Sequence, residues 1–134
     1  MLPISLAIGA GAWLAATLTC EPLPAPGRLR CALVAELPAE AGHIEWADAL
    51  VLRVPGFLQP LRGRLASRDA DVQKERLLRW NFALVAKTEG TGELVLRVRA
   101  VTCDAAKRCE ATEVDVPVNV YVGPALPPGS SAPR

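Results

Sequence analysis

Apolar and polar residues alternate most regularly in the C-terminal half of the chain. In residues 78–86, 93–100 and 113–122 every second side chain is apolar, and many of the positions between them are charged or amide-bearing. A period of two is typical of a β-strand with one buried face. The pattern therefore predicts three strands, with Leu96 and Val116 among their inward side chains.

Shorter alternating segments precede these strands. Residues 28–37 and 44–54 are predicted strands separated by a turn that contains Pro and Gly, and residues 61–65 are a candidate short strand. Residues 67–76 are polar without an apolar period, which predicts a loop or a single helical turn. About seven short strands and no long amphipathic helix favour an all-β fold over residues 28–122: an immunoglobulin-like antiparallel β-sandwich, with a small barrel as the alternative.

The N-terminal segment has a different pattern. Residues 4–18 carry no charge, and the run is shorter than the roughly 20 residues that a membrane-spanning helix needs. It is typical of the apolar helix of a signal peptide, with an uncleaved membrane anchor or a buried helix as alternatives. The sequence before Cys20 resembles a lipoprotein signal loosely, so lipidation is a further option. Signal, anchor and lipid each export the remainder, which predicts an extracytoplasmic protein, periplasmic or facing the periplasm.

Proline-rich segments bound the predicted domain. Residues 1–19 are the signal peptide or membrane anchor, and residues 20–27 hold three prolines and form an extended lead-in. After the predicted sandwich, residues 123–134 form a Pro-, Ser- and Gly-rich tail that we expect to be disordered.

The last two predicted strands flank a pair of cysteines. If they form a hairpin centred on Ala106, Cys103 faces Cys109 and the apolar side chains of both strands share one face. A one-residue slip would exchange the faces of one strand relative to the other, so the register is well specified. Directly opposed residues lie within the Cα separation that a disulfide needs.

Charges on the outward face agree with this register. Arg99 then opposes Glu113, and Arg97 opposes Asp115. Such pairs are worth at most about 1 kcal/mol each, so they help to set the register more than the stability. Pro117 falls on the same face and cannot donate a backbone hydrogen bond, which predicts that the last strand is at a sheet edge or bulged there.

Composition narrows the function classes. The 134 residues are 51 % apolar, enough for a folded core, and 15 basic against 14 acidic residues leave a net charge of +1. This balance gives no electrostatic argument for a nucleic-acid partner. One histidine excludes a multi-histidine metal site within the chain, and no phosphate-binding loop is present, so we expect no metal and no cofactor.

Four cysteines in a short exported chain predict disulfides. Three connectivities are possible, and the local one joins Cys20 to Cys31, as a structural link, and Cys103 to Cys109. The second disulfide has two interpretations. It either staples the hairpin or, because the register places both sulfurs on the outward face, exchanges with a partner thiol.

The hairpin resembles a known family. A strand, Cys103, five residues, Cys109 and a valine-alternating strand are similar to the N-terminal periplasmic domain of the transmembrane thiol:disulfide interchange protein, an inner-membrane disulfide reductase. The similarity covers residues 93–122 and extends more faintly back to residue 28. In that family the domain is immunoglobulin-like and relays electrons from a thioredoxin-like domain to periplasmic partners.

The resemblance implies specific roles. Cys103 and Cys109 would be the catalytic redox pair of a thiol:disulfide oxidoreductase domain, with thioredoxin-like or other periplasmic thiol proteins as partners. A loop normally covers the disulfide in the family, and residues 67–75 are the nearest candidate. The alternative function is a non-catalytic extracytoplasmic binding or structural domain whose disulfides only stabilise it.

Three other side chains bear on the site. Trp46 and Trp80 are predicted to lie in the core. His43 follows a glycine in a turn and is predicted to be solvent-exposed, without a catalytic role.

Overall fold

The computed structural model describes residues 5–11 and 14–124, with side chains from Leu14 onward. Within these residues the fold is all-β, with two short 3₁₀ turns at Ala39–Ala41 and Ser67–Asp69. The strands, in chain order, are β1 (Ser5–Gly11), β2 (Leu14–Cys20), β3 (Gly27–Glu36), β4 (His43–Arg53), β5 (Leu58–Pro60), β6 (Arg64–Leu65), β7 (Val72–Lys74), β8 (Leu77–Ala86), β9 (Gly90–Cys103) and β10 (Cys109–Val122).

The strands form two sheets in a sandwich-like arrangement. One sheet has the order β1-β2-β3-β8-β5, with β7 also paired to β8, and the other has the order β10-β9-β4-β6. All strand pairs are antiparallel. The antiparallel all-β class is confirmed, and the five longest predicted strands correspond to β3, β4, β8, β9 and β10. Of the candidate strand at residues 61–65 only Arg64–Leu65 is a strand. Residues 67–76, predicted as a loop or a single helical turn, contain the 3₁₀ turn Ser67–Asp69 but also β7.

The core consists of the inward side chains of both sheets. Its largest fully buried members include Trp80, Leu33, Leu84, Leu96 and Val116. The indole Nε1 of Trp80 donates a hydrogen bond of 2.9 Å to the carbonyl oxygen of Ala66, which satisfies the one polar atom of that side chain. The prediction for Trp80 is confirmed.

The prediction that Trp46 lies in the core is wrong. Its side chain is on the outer face of β4 and remains 37 % exposed. A register shift between Ile44 and Trp46 in the β4–β9 ladder inserts Glu45 as an extra residue. A β-bulge of this kind re-aims the side chains around it, so simple alternation along β4 assigns the wrong face here.

The register of the cysteine hairpin is confirmed. Cys103 pairs with Cys109 and Val98 with Val114, without a shift along the ladder. Pro117 lies within β10, which is the terminal strand in the order of its sheet, as a missing backbone donor requires.

Only one of the two predicted charge pairs forms. Arg97 donates to Asp115 at 2.8 and 3.1 Å, as predicted. Arg99 is opposite Glu113 in the ladder, but its guanidinium group binds Asp48 of β4 instead. Asp48 is fully buried whereas Glu113 is exposed, so Arg99 pairs with the carboxylate that depends more on a partner.

The N-terminal segment is the main departure from the predicted fold. Where the sequence predicts an apolar helix over residues 1–19, the described residues form the strands β1 and β2. Leu14, Ala16 and Leu18 are buried, and β2 lies between β1 and β3. Residues 1–4 and 12–13 lie outside the described residues. No helix in the described part of the chain has the length and apolar character of a membrane span.

The proline-rich lead-in packs along β10. Leu23 forms a parallel bridge with Val122, and its carbonyl oxygen accepts a 2.8 Å hydrogen bond from the backbone nitrogen of Gly123. The lead-in therefore connects β2 to β3 while crossing to the other sheet. Of the predicted disordered tail, residues 125–134 lie outside the described residues.

Candidate functional site

Asp104 organises the loop between the two cysteines. Its carboxylate accepts hydrogen bonds of 2.9 Å from the backbone nitrogens of Ala106 and Arg108, and its own backbone nitrogen donates to the carbonyl oxygen of Arg108. Lys107 adopts a left-handed conformation with φ of 62°. The hydrogen bond from the Arg108 backbone holds the pKa of Asp104 below its usual value, against an opposing contribution from burial. The loop is thus fixed by local contacts.

The two disulfides differ in exposure. Cys103–Cys109 joins β9 to β10 with a Cα–Cα distance of 4.0 Å, and Cys20–Cys31 joins β2 to β3 with 4.1 Å. Cys20 and Cys31 are both buried, at 2 % and 5 % exposure. Cys103 is also buried, whereas Cys109 is exposed. Only the hairpin disulfide therefore presents a sulfur-bearing residue that a second protein can reach. Two intramolecular disulfides are typical of an oxidising, extracytoplasmic environment.

The turn before β4 contacts the backbone of Cys103. Gly42 has φ of 105°, and a Cβ atom on it would lie against the carbonyl oxygen of Cys103 and 2.8 Å from the Cα of Asp104. The backbone of this turn is therefore in direct contact with the end of β9. Residues 67–75 are the segment predicted to cover the disulfide. They form hydrogen bonds with the backbone of Ala47 and Ile44 in β4 and of Asn81 in β8.

We expect Gly42→Ala to destabilise the protein by about 1–3 kcal/mol, since it adds a strained backbone conformation to a backbone clash. It should also speed the reaction of the disulfide with a small thiol, because the turn must move away from Cys103. Chemical denaturation and thiol trapping measure the two effects. Gly63→Ala is the matched control, since a Cβ there meets nothing within 4 Å. Equal behaviour of the two variants would contradict the contact.

His43 and Glu45 adjoin the buried sulfur. His43 is opposite Cys103 in the β4–β9 ladder, and its Nε2 is 2.9 Å from a carboxylate oxygen of Glu45. A ring nitrogen of His43, a carboxylate oxygen of Glu45 and Sγ of Cys103 all lie within 4.8 Å of one another. The side chain of His43 is 42 % exposed, yet it belongs to a strand beside the disulfide and not to a free turn.

Sequence reasoning did not connect these side chains to the cysteines. The available signal is the antiparallel pairing of β4 with β9, which places the first residue of one strand opposite the last residue of the other. This pairing can be inferred only when the order of the strands in the sheet is known. The alternation along β4 alone does not give that order.

An ion-pair network centred on the buried Asp48 lies on the outer face of β4 and β9. Asp48 is fully buried and accepts hydrogen bonds of 2.9 Å from Nε of Arg99 and 2.8 Å from Nε of Arg64. Burial by itself raises the pKa of Asp48, but the hydrogen bonds and charges of the two arginines outweigh it and hold the pKa below its ordinary value. The guanidinium carbon of Arg99 also lies 5.7 Å from the centre of the Trp46 ring. This network ties β4 to β9 below the disulfide.

Comparison with protein families, with curated proteins and with solved structures finds no match to this chain. The chemistry of the site therefore rests on its own residues. A disulfide with one reachable end, beside an imidazole and a carboxylate, can accept two electrons from a thiol partner and take up protons locally.

Proposed function

We propose that this chain is an exported thiol–disulfide exchange domain in which Cys103 and Cys109 relay electrons between periplasmic thiol proteins. The observation that supports this most strongly is the contrast between the two disulfides. Cys20–Cys31 is buried at both ends, whereas Cys109 is exposed at the end of a hairpin. A stapling role needs no exposed cysteine, but exchange requires a cysteine that a partner can reach.

The strand order supports the immunoglobulin-like part of this proposal. β3 pairs with β8 in one sheet, and β4, β9 and β10 are neighbours in the other. Immunoglobulin-type sandwiches place their second and fifth strands in one sheet and their third, sixth and seventh in the other. If β2 is taken as the first strand of such a sandwich and β5–β7 as short edge elements, the assignment follows. The fold and the position of the cysteines then agree with the resemblance of residues 93–122.

The exchange proceeds through a mixed disulfide. A partner thiolate attacks Sγ of Cys109, the Cys103–Cys109 bond breaks, and Cys103 leaves as a thiolate. His43 lies beside this leaving sulfur and is placed to give it a proton. The second thiolate of the partner then attacks the partner's first sulfur in the mixed disulfide and releases Cys109 as a thiolate, which takes a proton from solvent. The partner dithiol is oxidised to a disulfide, and this domain gains two electrons and two protons.

Reduction by a thioredoxin-like protein tests the proposal. We expect thiol trapping followed by peptide mapping to show Cys103 and Cys109 opening at least about tenfold faster than Cys20 and Cys31, which serve as an internal control. A partner variant without its second cysteine should accumulate a mixed disulfide on Cys109. Equal, slow opening of both disulfides would contradict exchange.

One observation favours the alternative of a structural domain. Cys103 is 5 % exposed and its backbone contacts the turn at Gly42, so this end of the disulfide is enclosed as in a stapling disulfide. In this alternative the hairpin disulfide only stabilises the domain, by roughly 2–2.5 kcal/mol for so short a loop. The trapping experiment decides between the two, since a structural staple gives no mixed disulfide with the partner.

A further inference from the structure

The residues around Cys103 form a ligand set as well as a redox site. We propose that opening of the Cys103–Cys109 disulfide creates a binding site for a divalent cation of the zinc class, with the two cysteine sulfurs, a ring nitrogen of His43 and a carboxylate oxygen of Glu45 as ligands. The site is closed in the oxidised protein and available only in the reduced one. It does not rest on the proposed electron relay, because any two-electron reductant opens the disulfide.

The spacing of the ligand atoms fits a tetrahedral ion. Zinc bonds of 2.0–2.3 Å to nitrogen, oxygen and sulfur place the ligand atoms about 3.3–3.8 Å apart. The atoms of His43, Glu45 and Cys103 already lie within 4.8 Å of one another, and the imidazole and carboxylate are 2.9 Å apart. These three ligand atoms are therefore within about 1 Å of the spacing that a bound ion requires, and the sulfur of Cys109 moves away from that of Cys103 when the disulfide opens.

The fourth ligand, the sulfur of Cys109, becomes available when the disulfide is reduced. Cys109 is paired with Cys103 in the β9–β10 ladder at a Cα–Cα distance of 4.0 Å, so the hairpin keeps the two side chains close when the disulfide is cleaved. A disulfide sulfur has neither a proton to lose nor the charge of a thiolate, and zinc binds the thiolate. Reduction adds two electrons and two protons to give two thiols. Binding of the cation then displaces those two protons, so the metal holds both sulfurs as thiolates.

The backbone holds the histidine and the carboxylate in place. His43 is opposite Cys103, and the bulge in β4 inserts Glu45 where the ladder has no partner for it. Cys103 is buried, His43 is half-buried and Glu45 is exposed, so the cluster extends from the protein interior to solvent. An ion can enter from the Glu45 side without a change in the sheet.

A bound cation would withhold both thiolates from exchange. The reduced domain would then exist in a free form that reacts with disulfides and a metal-bound form that does not. The cation in this way acts as an inhibitor of reoxidation at the same two sulfurs.

Cobalt(II) is a suitable probe because tetrahedral thiolate coordination gives it intense visible and near-ultraviolet absorption. The full chain is reduced anaerobically with a phosphine, which is converted to its oxide while water supplies the oxygen and the two thiol protons. We expect saturable absorption at one cobalt per chain, its displacement by zinc, and no such absorption with the oxidised protein.

Variants separate this site from other thiols. Cys103→Ser/Cys109→Ser keeps Cys20 and Cys31 and should show no cobalt–thiolate absorption after the same reduction. His43→Ala and Glu45→Gln should each weaken binding about tenfold or more, since even the loss of an outer partner of a ligand costs that much. Glu110→Gln removes an exposed carboxylate next to Cys109 and should bind as the wild type does.

The proposal is overturned if the reduced wild type shows no absorption change, or if the double cysteine variant binds equally well. It is also overturned as a four-ligand site if His43→Ala and Glu45→Gln bind as tightly as the wild type. None of these outcomes depends on whether a thioredoxin-like protein reduces the disulfide. The proposal of an electron relay and the proposal of a metal site can therefore be contradicted independently.

Discussion

Leu18→Ala should lower the free energy of unfolding by about 3 kcal/mol, and Leu14→Ala/Leu18→Ala by about twice that amount. Both leucines are buried to within 1 % in β2, between two neighbouring strands. An ordinary domain has a total stability of about 5–15 kcal/mol, so the double variant approaches complete unfolding. Urea denaturation followed by circular dichroism measures both changes.

Thr17→Ala is the matched control on the other face of β2. It is half-buried, and its replacement should change stability by no more than about 0.5–1 kcal/mol. A chain that begins at Cys20 should lose cooperative unfolding, because β3 then lacks its β2 partner and the core lacks three buried side chains. Cooperative unfolding of that truncated chain at wild-type stability would contradict the position of β2.

Asp48→Ala should lower the free energy of unfolding by about 2–3 kcal/mol at neutral pH. This loss is smaller than that for a fully enclosed ion pair, because the two arginines reach solvent. Asp48 is fully buried, and the side chains of Arg99 and Arg64 remain 38 % and 49 % exposed. Asp115→Ala is the matched control, since it removes the same group from a solvent-exposed pair with Arg97 and should have a much smaller effect. Equal losses in the two variants would contradict the burial of Asp48.

The loss in Asp48→Ala should depend on pH. The pKa of Asp48 is lower in the folded protein than its ordinary value of 3.8, so the unfolded chain binds the proton first as the pH falls. The stabilisation is therefore complete above pH 3.8 and declines as the pH falls towards the pKa of the folded state. Denaturation of the wild type and of Asp48→Ala at pH 7 and below pH 4 should show the difference between them shrinking. A constant difference would contradict the assignment.

The hairpin could be predicted in detail because its information is local. One hairpin register pairs Val98 with Val114 and Cys103 with Cys109 around a single loop. Arg97 finds Asp115 as predicted because the two are cross-strand neighbours on an exposed face. Arg99 does not bind Glu113, since Asp48 comes from a strand whose place in the sheet the sequence does not reveal.

The N-terminal strands could not be recognised from their pattern. Residues 4–18 are apolar or small at nearly every position, so neither a period of two nor a helical period is visible. Such a run fits a signal helix and a buried strand equally well. The outward position of Trp46 was missed for a different reason: an inserted Glu45 shifts the register of β4, and alternation cannot detect an insertion.

The reduction potentials of the two disulfides test the proposed exchange most directly. Each is measured in the same oxidised chain by equilibration with a graded thiol–disulfide buffer, thiol trapping and peptide mapping. Structural disulfides typically lie below about −300 mV. We expect Cys103–Cys109 to lie well above that value and Cys20–Cys31 below it. A hairpin disulfide that is as hard to reduce as Cys20–Cys31 would contradict the electron relay and leave both disulfides as structural links.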